Sequence, residues 1–233
     1  MPISDMSSPP AAPARPSPIA LVERVAAVFA EGEHKLEAMR AREEYLERAG
    51  KVFDDDGERF EGRIASFIEW YIIERGFREG PPPALRVVSE PGPAWGFTDD
   101  ERRRAVHLAT SIRSLFEISA MPRTPGGHVE IDDLVGGGRF SVLERRRTIG
   151  LEVGALFEAR LFWDGESVVF GKTFLFHPPD ARESVLRLVD KATLAGSGAE
   201  PLLFRLSRAH VKWHRLGHLA AAKVYGADAA SPA

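Results

Sequence analysis

Apolar and polar residues alternate along residues 115–176, and this alternation predicts a small β-sheet. In the first run, Phe116 and Ile118 point to one face and Glu117 to the other, because successive side chains of a strand alternate. The predicted strands are residues 115–121, 128–135, 139–149, 155–163 and 167–176. Five short strands joined by tight turns favour an antiparallel, barrel-like sheet of the kind seen in OB-like and SH3-like folds.

Two glycines carry local predictions within this sheet. Asp164-Gly165 is a strong two-residue hairpin signal, because both positions tolerate the positive φ that such a turn requires. Gly171 lies inside the fifth predicted strand, where a glycine indicates a bulge or a sharp bend.

Helical periodicity flanks the sheet on both sides. Ser17 and Pro18 are the residue types that begin a helix, and the pattern that follows them is interrupted near Gly32. Thr98 and Glu101 have the spacing of a capping box, which predicts another helix start. The predicted helices are residues 19–50, 58–75, 98–113, 181–194 and 201–225.

These elements predict an α+β protein with a helical N-terminal module packed on a small five-stranded antiparallel barrel-like sheet, followed by C-terminal helices. The proline-rich stretch 81–96 predicts a connection of low structure inside the helical module. The predicted division is a disordered arm (1–18), a helical module (19–113), a barrel-like domain (114–177), C-terminal helices (178–226) and a tail (227–233).

The amino-acid composition and the net charge exclude or disfavour several kinds of site and partner. The 233 residues include no cysteine, which excludes disulfides and thiolate metal sites. The net charge of -3 provides no overall attraction to nucleic acid or to an anionic membrane. No run of about 18 uncharged apolar residues is present, so no membrane span is predicted. We expect a cytoplasmic protein without a bound cofactor.

The hydrophobic order of residues 58–177 resembles a group of bacterial proteins of uncharacterised function. The resemblance rests on FIEWYIIER (67–75), SLFEI (114–118), VEIDDLVGGGRFSVLE (129–144) and GALFEARLF (154–162). In that group a helical module rich in Phe and Trp precedes a small β-sheet domain, and some members end in a zinc motif like that at the SecA C-terminus. This chain departs from those members because it has no cysteine for that motif. The resemblance implies the architecture and no activity.

The Gly171-Lys172-Thr173 sequence is the nearest approach to a nucleotide-binding motif. A P-loop requires a glycine at the position occupied here by Glu166, and a helix after its lysine. Residues 174–176 continue as a strand instead. The sequence therefore predicts no P-loop, and no other catalytic motif in it is complete.

His210 and His214 are four residues apart on a predicted helix, a spacing at which two imidazoles can chelate one divalent metal ion. Val211 occupies the position where a zinc protease carries its glutamate. A metal-dependent enzyme would need a carboxylate from elsewhere, and Glu130 and Asp132 are the candidates. The alternative is a polar strip beside the helix's apolar face.

Basic residues on the predicted sheet form a candidate surface for single-stranded nucleic acid. Small barrels bind such strands by combining a basic groove with stacking aromatic rings. The candidate rings are Phe157, Phe162 and Trp163, which could equally belong to the core. The candidate contact residues are Arg139, Arg145, Arg147 and Arg160.

With no complete catalytic set, we expect a non-enzymatic binding or adaptor protein that recognises a protein partner. The proline-rich arm and the charged helix near residues 35–48 are the segments available to that partner. The alternatives are a nucleic-acid-binding small barrel and a histidine-based metal enzyme.

Overall fold

The computed structural model describes residues 17–90, 95–122, 124, 126–144 and 151–230, apart from the side chains of residues 55 and 228–230. The predicted disordered arm lies outside these residues up to position 16. Within them the chain is an α+β protein with eight α-helices and one five-stranded sheet. None of the described helices has both the length and the apolar composition needed to cross a membrane.

The helical N-terminal part begins and breaks where the local chemistry predicts. The Ser17 hydroxyl accepts a hydrogen bond from the Ala20 amide, and a short 3-10 turn at Gly32–His34 separates the first two helices. Thr98 and Glu101 form the reciprocal capping box. The helices are α1 (Pro18–Phe29), α2 (Lys35–Ala49), α3 (Glu58–Ile73), α4 (Pro83–Ser89) and α5 (Asp99–Ala109).

Helix α4 corrects the prediction of low structure for residues 81–96. Pro83 occupies the first helical turn, where a missing amide hydrogen costs nothing. Ala84 and Val87 are fully buried on one side of this helix. About two helical turns are therefore enough to bury apolar side chains here, although the surrounding prolines favour a connection of low structure.

Helix α3 is buried on two sides, which places it at the centre of the molecule. Its apolar residues Phe67, Tyr71 and Ile72 lie in the aromatic core of the helical part. The polar residues Arg63 and Glu69 are also buried, with 7% and 6% of their surface exposed. On this second, polar face of α3, Glu69 contacts the sheet and Arg63 contacts a C-terminal helix.

The sheet is mixed, which corrects the prediction that it is antiparallel. Its order is β1-β2-β3-β5-β4, β4 pairs back with β1, and the ring closes through a parallel β3–β5 pair. A closed ring with an odd number of strands cannot be antiparallel at every pairing, so one parallel pair is unavoidable. The strands are β1 (Ile112–Ala120), β2 (His128–Asp133), β3 (Arg139–Leu143), β4 (Leu156–Trp163) and β5 (Val168–Phe176).

The hairpin at Asp164-Gly165 and the bulge at Gly171 are both present, but the hairpin is not the predicted two-residue turn. Trp163 pairs with Val168, so the loop has four residues, 164–167, and Asp164 lacks the predicted positive φ. Gly165 has a φ of +104° in the turn between β4 and β5, and the Asp164 amide donates to the Ser167 carbonyl. At Gly171 the β4–β5 register shifts, since Ala159 pairs with Phe174 but Leu161 pairs with Phe170. The extra residues of this bulge lie on β5.

The C-terminal helices differ from the prediction of one helix over residues 201–225. Gly217 lies in a turn after α7, and a glycine there removes the helical preference of the chain. The chain then reverses, and α8 packs on α6 and α7 with Val224 and Tyr225 buried. Residues 227–230, predicted as part of the tail, belong to this helix. The helices are α6 (Arg182–Leu194), α7 (Ala199–Arg215) and α8 (Ala221–Ala230).

Candidate functional site

A cleft of about 650 Å³ lies where α3, α7 and strands β4 and β5 meet. Its walls combine apolar side chains, among them Phe174 and Val211, with an unusual concentration of buried polar groups. The polar residues that line the cleft and carry the argument below are Arg63, Glu69, Glu158, His177, Ser207 and His210.

Helix α3 supplies one wall of the cleft through a helical repeat of small and polar residues. Ser66 is four residues after Gly62, three after Arg63 and three before Glu69, so these residues lie on one side of the helix. The absence of a side chain at Gly62 leaves open space beside Arg63, where an added Cβ atom would have no neighbour within 4 Å.

A buried charge network joins this wall to the sheet. It consists of Glu69, Glu74, Arg113, Glu158 and Arg160. Arg160 pairs with Glu74 and lies 3.5 Å (Nε to Oε2) from Glu69. Arg113 lies 3.5 Å (Nη1 to Oε2) from Glu74 and 3.8 Å (Nη2 to Oε2) from Glu158. Guanidinium groups this deeply buried require such partners, because an isolated charge in the interior is costly.

The bulge on β5 admits Glu69 into the sheet. The Lys172 amide, freed from the β-ladder by the bulge, donates to Glu69 Oε1 at 3.1 Å. A Cβ atom on Gly171 would come within 2.9 Å of the same oxygen, so only glycine leaves room for this approach. Burial raises the pKa of the Glu69 carboxyl, and the nearby Arg160 opposes that shift.

Arg63 differs from the arginines of the charge network because it faces no carboxylate among the described residues. Its guanidinium donates to the Ser207 hydroxyl and, at 3.5 Å, to the Ser207 carbonyl. Both residues are buried and line the cleft. Arg59, one turn earlier on α3, lies 3.3 Å from Asp56 and 3.4 Å from His214 Nδ1. This end of the cleft is therefore electropositive.

His210 and His214 lie at the electropositive end, with their Nε2 atoms 3.2 Å apart. That separation would suit two ligands of one metal ion, but no group of three or more His, Asp or Glu side chains in the described part of the chain is arranged to hold one. Glu130 and Asp132 are engaged elsewhere, with Ser141 and Arg139. The metal-enzyme hypothesis therefore has no third ligand among the described residues.

We predict that His210 makes the folded protein sensitive to acid. Burial, and then the charges of His177 and His214, lower the pKa of His210 from 6.5 to about 2. Below pH 6.5 the unfolded chain therefore binds a proton at His210, whereas the folded chain leaves this imidazole unprotonated. The contribution of this pKa difference to the free energy of unfolding is fully present above pH 6.5 and is lost as the pH falls toward 2. At pH 5 the free energy of unfolding is lower by about 2 kcal/mol.

Urea unfolding at pH 7 and pH 5 measures this effect. The loss between the two pH values should be smaller by about 2 kcal/mol in His210→Gln than in the parent. The raised pKa of Glu69 acts in the opposite direction in both proteins, so it cancels in the comparison. His218 is exposed, and His218→Gln should behave like the parent. An unchanged pH dependence in His210→Gln would contradict the prediction.

His177 and Glu158 form a second polar centre in the cleft. The Nδ1 atom of His177 lies 3.1 Å from the Tyr225 hydroxyl, which fixes the ring. Its Nε2 atom lies 3.5 Å from Glu158 Oε1, yet neither atom has a hydrogen-bond partner among the described residues. Both side chains are at least nine-tenths buried.

The sequence did not single out most of the residues of this cleft. Arg63 and Glu69 lie outside the stripe of apolar residues on α3, where charged side chains normally face solvent, so the helical pattern gave no signal of their burial. His177 stands alone before two prolines. No local signal marked Ser207 or Glu158.

The candidate nucleic-acid contacts lie in different surroundings. Arg139 is exposed and bonds Asp132 through two atoms, at 2.6 Å and 3.1 Å. The Arg160 side chain is only 1% exposed and belongs to the charge network, so it is not available to an outer groove. Arg145 and Arg147 lie outside the described residues. Of the candidate rings, Phe157 and Phe162 are core residues, whereas Trp163 is 43% exposed.

Comparison with known proteins adds no relative to this picture. No family model, curated protein or solved structure matches the chain. The resemblance to bacterial proteins drawn from the sequence stays a prediction. The function is accordingly argued from the geometry of the cleft.

Proposed function

We propose that the protein is a non-enzymatic binding protein whose cleft holds a small organic anion. The observation that carries the proposal is Arg63, a buried guanidinium that faces the cleft and has no carboxylate partner among the described residues. A buried charge is stable only when it is paired or solvated. A carboxylate or phosphate on a ligand would supply the missing countercharge, in the two-pronged geometry that arginine favours.

The size and lining of the cleft support a ligand with an apolar body. Small-molecule sites generally enclose about 300–1,000 Å³ and combine apolar walls with a few polar groups. Here Phe174, Phe176 and Trp213 provide apolar surface beside the electropositive end. A ligand with an anionic group and a hydrocarbon portion would use both parts of the site.

Binding rather than catalysis is favoured by the partners of the hydroxyl groups in the cleft. Ser66 bonds Thr173 and the Gly62 carbonyl, and Ser207 bonds Arg63. A serine or threonine nucleophile needs an adjacent general base. In the described residues these hydroxyls have neither a histidine nor a carboxylate as a hydrogen-bond partner.

Recognition of a protein partner remains a second proposal. Helix α2 exposes Leu36 and Met39, with 72% and 52% of their surface accessible, among its charged residues. Such a surface is suited to a protein contact. The nucleic-acid alternative rests on the closed strand order, which belongs to the small-barrel class that includes OB folds. A shared architecture does not itself imply that function.

Arg63→Met is expected to weaken the binding of small anions to the full chain by about tenfold or more, because a charge-assisted hydrogen bond contributes about 1.5–3 kcal/mol. Isothermal titration with hexanoate and with phenyl phosphate is the measurement. Arg103→Met is the matched control, since Arg103 is an exposed arginine on α5 that pairs only with Asp100 among the described residues. That control should bind both anions as tightly as the parent.

A second variant tests the site if Arg63→Met does not fold. Ser207→Ala removes the hydroxyl group that accepts from Arg63, and it leaves the charge of Arg63 in the cleft. It should retain or improve anion binding. The proposal fails if neither anion binds the parent, or if a folded Arg63→Met binds as tightly as the parent.

A further inference from the structure

Glu158 is a buried carboxylate that accepts no hydrogen bond from any described residue. Its Oε1 atom has no partner, and its ion pairs with His177 and Arg113 are long, at 3.5 Å and 3.8 Å. The side chain is 6% exposed. A buried acceptor left without a donor costs roughly 1–3 kcal/mol, and more when it is charged. The cleft therefore contains a buried carboxylate that lacks a hydrogen-bond donor.

His177 presents a second unpartnered atom at the same point. Its Nδ1 atom contacts the Tyr225 hydroxyl, and its Nε2 atom lies 3.5 Å from Glu158 Oε1 without forming a hydrogen bond. A neutral imidazole accepts at one ring nitrogen, and it accepts at Nε2 when Nδ1–H donates to the tyrosine oxygen. An ammonium group has three donors, so it would satisfy Glu158 Oε1 and select the tautomer in which Nε2 also accepts.

The Glu158–His177 pair and Arg63 are linked through helix α7. Arg63 bonds Ser207, and His210 is one turn further along the same helix. The rings of His210 and His177 have centroids 6.3 Å apart. Both ends therefore lie in one cleft, and a ligand that uses both must extend past His210.

We propose that the ligand is a zwitterion of short-peptide size, with its carboxylate on Arg63 and its amine between Glu158 and His177. This inference rests on the proposed function and specifies its ligand. The cleft volume of about 650 Å³ lies in the range of sites that enclose small organic ligands, and a short peptide is of that size. The apolar wall formed by Phe174 and Phe176 would accommodate the side chains of such a peptide.

The test is isothermal titration of the full chain with alanine peptides of one to four residues. Trialanine is compared with N-acetyl-trialanine, which lacks the charged amine, and with trialanine amide, which lacks the carboxylate. We expect free trialanine to bind at least tenfold more tightly than either blocked form and more tightly than alanine itself. The blocked peptides test the inference without any change to the protein.

Two variants assign each end of the peptide to its residue. Glu158→Gln should abolish the preference for free over acetylated trialanine and keep the preference for free trialanine over its amide. Arg63→Met should abolish the preference for free trialanine over its amide and keep the preference for free over acetylated trialanine. Trp163→Ala, outside the cleft lining, should leave both preferences unchanged.

The outcomes separate this inference from the function on which it rests. Equal binding of free and acetylated trialanine would overturn the zwitterion and leave the anion site intact. The same holds if hexanoate or phenyl phosphate binds through Arg63 while no peptide binds. If neither anions nor peptides bind, both the inference and the proposed function fall.

Discussion

Replacing Arg160 with methionine should lower the free energy of unfolding by about 3–5 kcal/mol, the usual cost of removing one partner from a buried ion pair. Arg160 is paired with Glu74 and faces Glu69, so its loss leaves two carboxylates with less compensation. Methionine approximates the length of the arginine stem, which limits any cavity. Urea unfolding monitored by tryptophan fluorescence measures the change.

Arg139→Met is the control for this prediction. Both arginines come from the same sheet, but Arg139 is exposed and its pair with Asp132 is a surface ion pair. Such pairs contribute little, so we expect no measurable change in the unfolding midpoint. Equal destabilisation by the two substitutions would contradict the different roles of the two arginines.

Phe157→Ala should destabilise the fold by a similar amount, about 3–5 kcal/mol, through the lost transfer energy and the cavity left behind. Phe157 is fully buried in the barrel core. Its ring lies within 6 Å, centroid to centroid, of the rings of Phe116, Phe170, Phe174 and Phe176. Thermal unfolding followed by circular dichroism is a suitable measurement.

Trp163→Ala provides the comparison on the same strand, since this larger ring is 43% exposed. It should cost much less stability than Phe157→Ala. If the two losses were equal, the barrel core would not depend on Phe157 as its packing indicates.

Features set by neighbouring residues could be predicted from the sequence. The N-cap at Ser17, the capping box at Thr98 and the hairpin at Asp164-Gly165 depend on side chains and backbone within a few positions. The glycine at position 171 likewise signals the bulge, although the Glu69 carboxylate that the bulge accommodates comes from α3. The caps and the hairpin depend on local geometry.

Features set by distant residues could not be predicted. The parallel β3–β5 pair follows from closing an odd-numbered ring, and no single strand carries that information. The reversal before α8 depends on burying Tyr225 against other helices.

The cleft is a stronger case of the same difficulty. Arg63 and Ser207 are 144 positions apart in the chain, and Glu158 and His177 belong to other elements again. Only the folded chain shows that the arginine on α3 lacks a carboxylate while the glutamate on β4 lacks a donor. Residue types on their own directed attention to four arginines of the predicted sheet and to a histidine pair.

The approach of Glu69 to the bulge has a consequence for how this protein can be divided. The carboxylate of a helix satisfies a backbone amide of the sheet, and the same carboxylate faces Arg160 on β4. A sheet expressed without α3 would keep an orphaned amide and a poorly compensated guanidinium in its wall. A helical part expressed alone would keep the Glu69 carboxylate without the Lys172 amide and Arg160, its partners on the sheet. The two halves, which look separable along the chain, should therefore fold and unfold as one cooperative unit.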